Sequence, residues 1–433
     1  MSRSSREATP PPQEGLRLLT SSQPHRDLIE ASAFNTSGTR FAIGAADGKI
    51  KVFNRHHHGT WALCDTWAAH HGGEVLELQW LPPTLHPNLL ASIGTDGRFK
   101  LWVEDPTLPP NKGRRFTGPH HRPVWETRST TRAPFLSFAV KYCARARQTH
   151  MALVDRDAQL LVYENEEPEN MTAWTEVDRV NVCEKPRRGE EASFRVAFDP
   201  NPEPCFRAVR AGVPRDALGL LVACMGRASV WRSKDVAHAV SLGSASSKEL
   251  YLAAELRGHR GLVRDVAWAS GNIRGWDEVA TACKDGAVRV FKVAAAAAAA
   301  AGGVEGKGKG EGETEGIEAR RGEFEKVPEK TVALSATSEN GARNVPSGIG
   351  AGLAGQRTSR SRQQEAQGRD GAVVHSAKEI SRLEAARAPV WRIEFDADGQ
   401  LLGSTGDDGR LMMLRREPNG VWRKSAELGM DRG

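Results

Sequence analysis

Residues 258–293 read GHRGLVRDVAWASGNIRGWDEVATACKDGAVRVFKV, and the fold can be worked out from this stretch. Two apolar runs, LVRDVAW and EVATAC, precede the pair Asp285-Gly286, after which Val288 and Val290 alternate with Ala287 and Arg289. An Asp-Gly pair between alternating apolar residues marks a tight hairpin, because the backbone twist of its turn matches that of the strands it joins. Alternation with a period of two leaves one face of the strand buried. The last run closes on Phe291, six residues after the turn aspartate. The stretch therefore predicts three antiparallel strands.

Outward from it, the same spacing recurs: Asp47 with Phe53, Asp96 with Trp102, Asp157 with Tyr163 and Asp408 with Leu414. Glycine follows Asp47, Asp96 and Asp408 as it follows Asp285. Upstream of these turns lie runs of small and apolar residues (FAIGAA, LLASIGT, MALVDR, LLGSTGD), and further upstream come VLELQW, FLSFAV, FRVAFD and VWRIEF. Adding a variable outer strand gives a four-stranded unit of about 40–45 residues, the blade of a WD-repeat propeller. Six such units can be counted, the fourth (LGLLVACMGRASVW) keeping Trp231 but placing Met225 where the others have aspartate. The expected fold is an all-β, six-bladed WD-repeat β-propeller, left open. Its turn aspartates are read as structural, bonding backbone amides, and its closing aromatics as buried area. His259, in Arg257-Gly258-His259, is read in the same way.

Composition agrees with this class: 433 residues carry 43 glycines and 23 prolines, which suits many turns. A net charge of +6 over such a length is mild and names no nucleic-acid partner. The six cysteines are scattered, with no CxxC pair and no secretory signal before them, and are read as reduced thiols inside a cell. No run approaches the roughly 18 apolar residues of a membrane span, so membrane association is expected only through partners. Residues 1–15 are expected to be loose, 16–293 to form blades 1–5, and 371–433 to form an outer strand and blade 6. Between them, 294–370 hold eight consecutive alanines, a Gly-Lys-Glu tract and a Ser-Arg-Gln tract. With balanced charge and few aromatics, this insertion cannot offset the entropy of ordering and is expected to be disordered.

Chemical motifs give way under inspection. Gly350 to Gly355 matches the dinucleotide fingerprint G-x-G-x-x-G, but no strand leads in and no helix follows. His56, His57 and His58, with His70 and His71, are read as solvated loop, since three consecutive histidines cannot face one ion. There is no P-loop, HExxH, G-x-S-x-G or zinc-spaced cysteine pair. Arg357, Arg360 and Arg362 are read as linker rather than RNA site. For an enzyme on this fold, inner-strand residues such as Glu77, Arg264 and Arg392 could be offered. No catalytic residue, cofactor or metal is expected.

Several stretches carry more than a fold. Residues 258–293, with their Cys-Lys-Asp-Gly turn and Trp-containing insertion, resemble the fifth repeat of the Seh-type nucleoporins, homologues of the SEC-thirteen coat protein. Similar resemblances lie in WALCDTWAAHHGGEVLELQW (61–80), LWVEDP, VWRIEFDADGQLLGSTGDDGRLMML (390–414) and HRDLI near residue 27. The resemblance implies a propeller completed by one further blade from an α-helical solenoid nucleoporin. It also implies membership of the Y-shaped scaffold (Y-complex) of the nuclear pore, at the nuclear envelope, with other Y-complex nucleoporins as partners. Roles in mRNA export and protein import would follow, as would a second place in a vacuole-associated complex regulating TOR nutrient signalling. Physically, an unclosed ring leaves strand edges that a partner's strand could satisfy, with apolar burial supplying much of the affinity. Asp27, Leu28, Ile29 and Phe41 in the first blade, and Val390, Trp391 and Leu414 in the last, are the candidate contacts. The competing reading is a generic WD-repeat adaptor that recruits peptides to a modifying enzyme, which a seventh blade made by the chain itself would favour.

Overall fold

The computed structural model describes residues 27–82, 86–118, 120, 122–240, 243–272, 274–295, 371–384 and 388–429. By internal contacts the chain divides into two units, Met1–Ala297 with Gly371–Gly433, and Ala298–Asp370. The second unit, with most of the insertion, lies outside the described residues, as does the N-terminal segment 1–15.

In the first unit, six four-stranded antiparallel sheets form a β-propeller, each sheet built from four consecutive strands. Blade 1 holds β1 (Ile29–Phe34), β2 (Arg40–Ala45), β3 (Lys49–Arg55) and β4 (Trp61–Ala68). Blade 2 holds β5 (Val75–Trp80), β6 (Leu89–Gly94), β7 (Arg98–Val103) and β8 (Trp125–Arg128). Blade 3 holds β9 (Phe135–Cys143), β10 (Gln148–Asp155), β11 (Gln159–Asn165) and β12 (Thr175–Asn181). Blade 4 holds β13 (Phe194–Phe198), β14 (Gly219–Cys224), β15 (Arg227–Val240) and β16 (Gly243–Leu256), with the short helix α1 (Phe206–Arg210) between β13 and β14. Blade 5 holds β17 (Val263–Trp268), β18 (Asp277–Cys283), β19 (Ala287–Ala295) and β20 (His375–Glu384). Blade 6 holds β21 (Val390–Phe395), β22 (Leu401–Gly406), β23 (Arg410–Arg416) and β24 (Trp422–Gly429). The fourth blade is thus complete, and the outer strand expected near residue 371 is the fourth strand of blade 5, paired with β19.

The turns explain why the repeat reads as it does. Asp47, Asp96, Asp285 and Asp408 each accept the amide two residues on, from Lys49, Arg98, Ala287 and Arg410, at 3.0–3.1 Å. The glycine after each has positive φ, which a side chain would strain. At Gly48 a Cβ would also stand 2.0 Å from the His70 carbonyl oxygen. Blade 3 departs from the expectation. Asp157 occupies the turn position, but the amides of Asp157 and Gln159 both go to Asp155 Oδ1, while Ser129 and Thr131 hydroxyls bond its Oδ2. The Asp157 carboxylate pairs instead with Lys185 at 2.7 Å. The reason is the turn's sequence: Ala158 takes the positive φ (66°) without glycine, and a second aspartate two residues earlier is already buried beneath it. In blade 4, Met225 (φ 54°) makes the turn with no carboxylate at all.

In blade 2 the turn aspartate anchors a relay. His70 Nδ1 lies 2.9 Å from Asp96 Oδ1, His70 Nε2 lies 2.9 Å from Ser92 Oγ, and Trp102 Nε1 donates to Ser92 Oγ at 2.9 Å. His70 is fully buried, so its reading as solvated loop is corrected; His56, His57 and His58 are exposed. Burial lowers the His70 pKa against the pull of Asp96, which keeps the ring neutral and fits one proton on Nδ1. His259 plays the matching part in blade 5, bonding Thr281 Oγ1 at 2.9 Å, with Phe291 in place of the tryptophan.

Blades approach closely because their second strands carry small residues. Ala42, Ala91, Ala152, Ala280 and Ala282 are wholly buried, and a Cβ on Gly44 would stand 2.4 Å from Val75 Cγ1 of the next blade. Apolar cores therefore form between neighbouring blades: Val52, Trp67, Leu78, Trp80 and Phe116 between blades 1 and 2, for example. Each fully buried large side chain contributes about 1.5–3 kcal/mol by leaving water.

Candidate partner interface

The inner strands are stitched to one another by a repeated device. Register shifts at Val75/Glu77, Val263/Asp265 and Val390/Arg392, and opposite Phe135 in β9, turn the following residue toward the next blade. Glu77 Oε2 accepts the amide of Phe138 at 3.0 Å, Ser137 Oγ that of Val196 at 3.3 Å, and Asp265 Oδ2 that of Ile393 at 3.1 Å. In β13 the position is Arg195, whose Nε donates to the Arg264 carbonyl at 3.3 Å. Two residues beyond Glu77, Gln79 exchanges two bonds with the backbone of Val140. Arg195 also pairs with Glu77 at 3.0 Å across the central cavity. Burial pushes the Asp265 carboxyl up, against the pull of Arg195 and Arg392.

At β21 the stitch reaches its end. Arg392 stands where Glu77 and Asp265 stand in their blades and Glu394 stands where Gln79 does, and neither side chain makes a hydrogen bond among the described residues. Both residues are exposed. Among the described residues, no hydrogen bond, ion pair or ring contact joins blade 6 to blade 1. One cavity of about 1280 Å³ is lined by all six inner strands, and it spreads onto Gly403, Thr405, Leu411 and Met413 of blade 6.

Strand register identifies the two faces that flank this opening. In blade 6, Thr405, Leu411 and Leu428 stand side by side, as do Gly403, Met413 and Ala426, on the face away from blade 5. In blade 1, Phe34, Phe41, Phe53 and Leu63 line up on the face away from blade 2, next to Ser32, Ile43 and Lys51. Phe34 stacks on Phe41 at 4.4 Å, with Trp61 edge-on to both.

The seven candidate contacts divide. Leu28 (68% exposed) and Ile29 (51%) are open to solvent, and Ile29 lines the cavity; Phe41 belongs to the open aromatic face; Asp27 only accepts the Leu28 amide. Val390 (2% exposed) and Leu414 (0%) lie in the core shared with blade 5, which takes them out of the seam. The register shift reverses the face presented at Val390, and Leu414 alternates with the outward Met413. Trp391 lies under the Arg264 guanidinium of blade 5 at 4.3 Å and bonds Asp407, so it too leans on the neighbouring blade. Sequence reasoning missed Leu411, Met413 and Glu394. For Leu411 and Met413 the signal was the alternation of LMML itself, which shows two faces without saying which one is covered; for Glu394 it was its place two residues beyond Arg392 in VWRIEF. Of the polar inner-strand groups, Glu77 and Arg264 are engaged, the latter with Glu191. Among the described residues no cluster of side chains has the makings of a metal site, and no helix is long and apolar enough to cross a membrane.

The WD domain, G-beta repeat family matches residues 251–292, from the end of β16 through β17 and β18 into β19. Over 94% of its length the chain is 39% identical to nucleoporin SEH1 of Chaetomium thermophilum, covering 93% of that protein. It is 24% identical to nucleoporin SEH1 of Saccharomyces cerevisiae over 90% of the chain and 93% of that protein. To nucleoporin seh1 of Schizosaccharomyces pombe it is 27% identical, over 62% of the chain and 70% of that protein. Six self-contained blades, an opening between the first and the last, and a likeness to these relatives that runs nearly end to end make one statement: the chain belongs to the SEH1 family of nucleoporins.

Proposed function

We propose that this protein is a non-catalytic structural subunit of the nuclear pore, and that its opening between blades 1 and 6 receives one further blade from an α-helical solenoid nucleoporin. The observation that carries the reading is the unfinished stitch at β21. Glu394 is an acceptor in the position from which Gln79 takes the Val140 amide, and Arg392 is a donor in the position from which Arg195 reaches a carbonyl. A partner strand running alongside β21 would supply both groups. Each such bond contributes only about 0.5–1.5 kcal/mol, so Leu411, Met413, Phe34 and Phe41 would supply most of the affinity by burial.

In the same reading the subunit sits in the Y-complex and supports mRNA export and protein import by holding that scaffold together. A place in a vacuole-associated, TOR-regulating complex would draw on the same opening, since any helical partner that offers a blade meets the same two faces. Co-expression with the helical nucleoporin of the same source should give a stoichiometric complex on gel filtration. Leu411→Asp together with Met413→Asp should abolish it while leaving the free propeller folded. A wild-type chain that stays monomeric beside that partner, or a double variant that still binds, overturns the proposal.

A further inference from the structure

Blade 3 carries a polar group that neither the opening nor the turns use. Cys143 ends β9 opposite Gln148, while His150 of β10 stands opposite both Lys141 and Glu164. Register places Cys143, His150 and Glu164 on one face, the face whose Ala152 and Val154 pack against blade 4. Cys143 and His150 are diagonal neighbours across the β9–β10 pair, and each acts on the other's titration with no hydrogen bond formed between thiol and ring in the resting fold. That ring is 1% exposed, its Nε2 lies 3.0 Å from Glu164 Oε2, and its Nδ1 is buried without a hydrogen-bond partner. Glu164 therefore holds a proton on Nε2 and leaves the Nδ1 lone pair for the thiol proton, the arrangement that activates a cysteine nucleophile.

The thiol itself is half-buried against the core shared with blade 4, while its chain neighbours Tyr142 and Ala144 line the central cavity. Burial raises its pKa, but contact with His150 and the charges of His150, Lys141 and Lys248 outweigh this and bring it below the ordinary thiol value. His150 is lowered by burial and raised further by Cys143 and Glu164, for a net rise. The other charged groups around the pair are Glu166 beside Glu164, Asp216, which pairs with Lys248 at 2.6 Å, and Arg145. By contrast, Cys64, Cys205 and Cys283 are buried and raised by burial.

We propose that Cys143, set up by His150 and Glu164, is a modification site for small oxidants of the peroxide class. The thiolate attacks one peroxide oxygen, so that an S–O bond forms as the O–O bond breaks. The hydroxide that leaves takes the proton from His150 Nδ1 and becomes water. Sulfur is oxidised to sulfenic acid and the peroxide is reduced.

The test uses the full, folded chain. Iodoacetamide labelling across pH, read cysteine by cysteine by peptide mass spectrometry, should modify Cys143 about tenfold faster near pH ~6.5 than in the denatured chain. Hydrogen peroxide followed by dimedone should then give its adduct at Cys143. Labelling no faster than in the denatured chain at every pH overturns the proposal, and this arm needs no variant to fold. Glu164→Gln, checked for an unchanged melting temperature, should move the pH profile toward that of the denatured thiol. An unchanged profile in the folded variant overturns the positioning role of Glu164.

Discussion

Blade 2 and blade 6 share a strand order and an Asp-Gly turn, yet they are held in place differently. In blade 2 the turn aspartate ends a chain of bonds through His70 and Ser92 to Trp102, and both faces are covered: Leu90 and Trp102 toward blade 1, Ile93 and Leu101 toward blade 3. In blade 6, Asp408 bonds the Arg410 amide, no histidine or tryptophan joins it, and one face is bare. Blade 6 leans on blade 5 through Ile393, Leu402 and Leu414, and through Arg416, which forks onto Glu278 at 2.8 and 3.0 Å. The repeat thus encodes the hairpin, while side chains outside the repeat, and the neighbours, decide how firmly the blade is held.

The contrast can be broken most forcefully at Trp102. Trp102→Ala should cost about 3–5 kcal/mol in denaturant unfolding, since it opens a cavity between blades 1 and 2 and leaves Ser92 short of a donor. A loss below about 1 kcal/mol would mean that the relay is decoration. Next comes Arg416→Ala, which leaves a nearly buried Glu278 with only the Trp276 indole and the more distant Arg274 and should cost about 3 kcal/mol; Glu278→Gln in the same background should recover part of it.

Acid offers a test with a definite sign. Burial, aggravated by Arg289, pushes His259 down to about 4, and burial lowers His70 as well. Both rings are neutral in the fold, so the unfolded chain binds the extra protons below its ordinary histidine value of about 6.5. Stability from these groups is complete above that value and is lost as the pH falls through the folded values. The denaturation midpoint should fall from pH ~6.5 toward ~4, less steeply in His259→Gln. A midpoint flat over that range would break the reading. The smallest effect belongs to Asp408→Ala, at about 0.5–1 kcal/mol, because its one turn bond lies at the surface.

How much of this could be read beforehand follows from where the information lies. Turns announce themselves when glycine supplies the positive φ, as at Gly48, Gly97, Gly286 and Gly409. They mislead where Ala158 or Met225 does so, which is why the sequence points to Asp157 while the turn bonds go to Asp155. His70 was hidden because His71, Gly72 and Gly73 follow it rather than a glycine preceding it, so the Gly-His pair seen at His259 is absent. The open faces were legible as alternation in RLMML, but parity alone could not say whether Leu411 and Met413 or Met412 and Leu414 would meet blade 5. That choice was made by the register shift at Val390, a property of the backbone.

Since no strand is exchanged between the first and last sheets, each blade packs mainly on the blades before and after it, with the Arg195–Glu77 pair spanning the cavity between blades 2 and 4, and the domain is in effect a short linear array bent into an arc. Cooperativity in such an array passes from neighbour to neighbour, and its two ends are where unravelling starts. Amide hydrogens of blade 6, the end with the thinner packing, should exchange first, and those of blades 3 and 4 last. A ligand seated between the ends would turn both of them into interior positions, so protection gained far from the contact, in blades it never touches, would be the mark of its arrival.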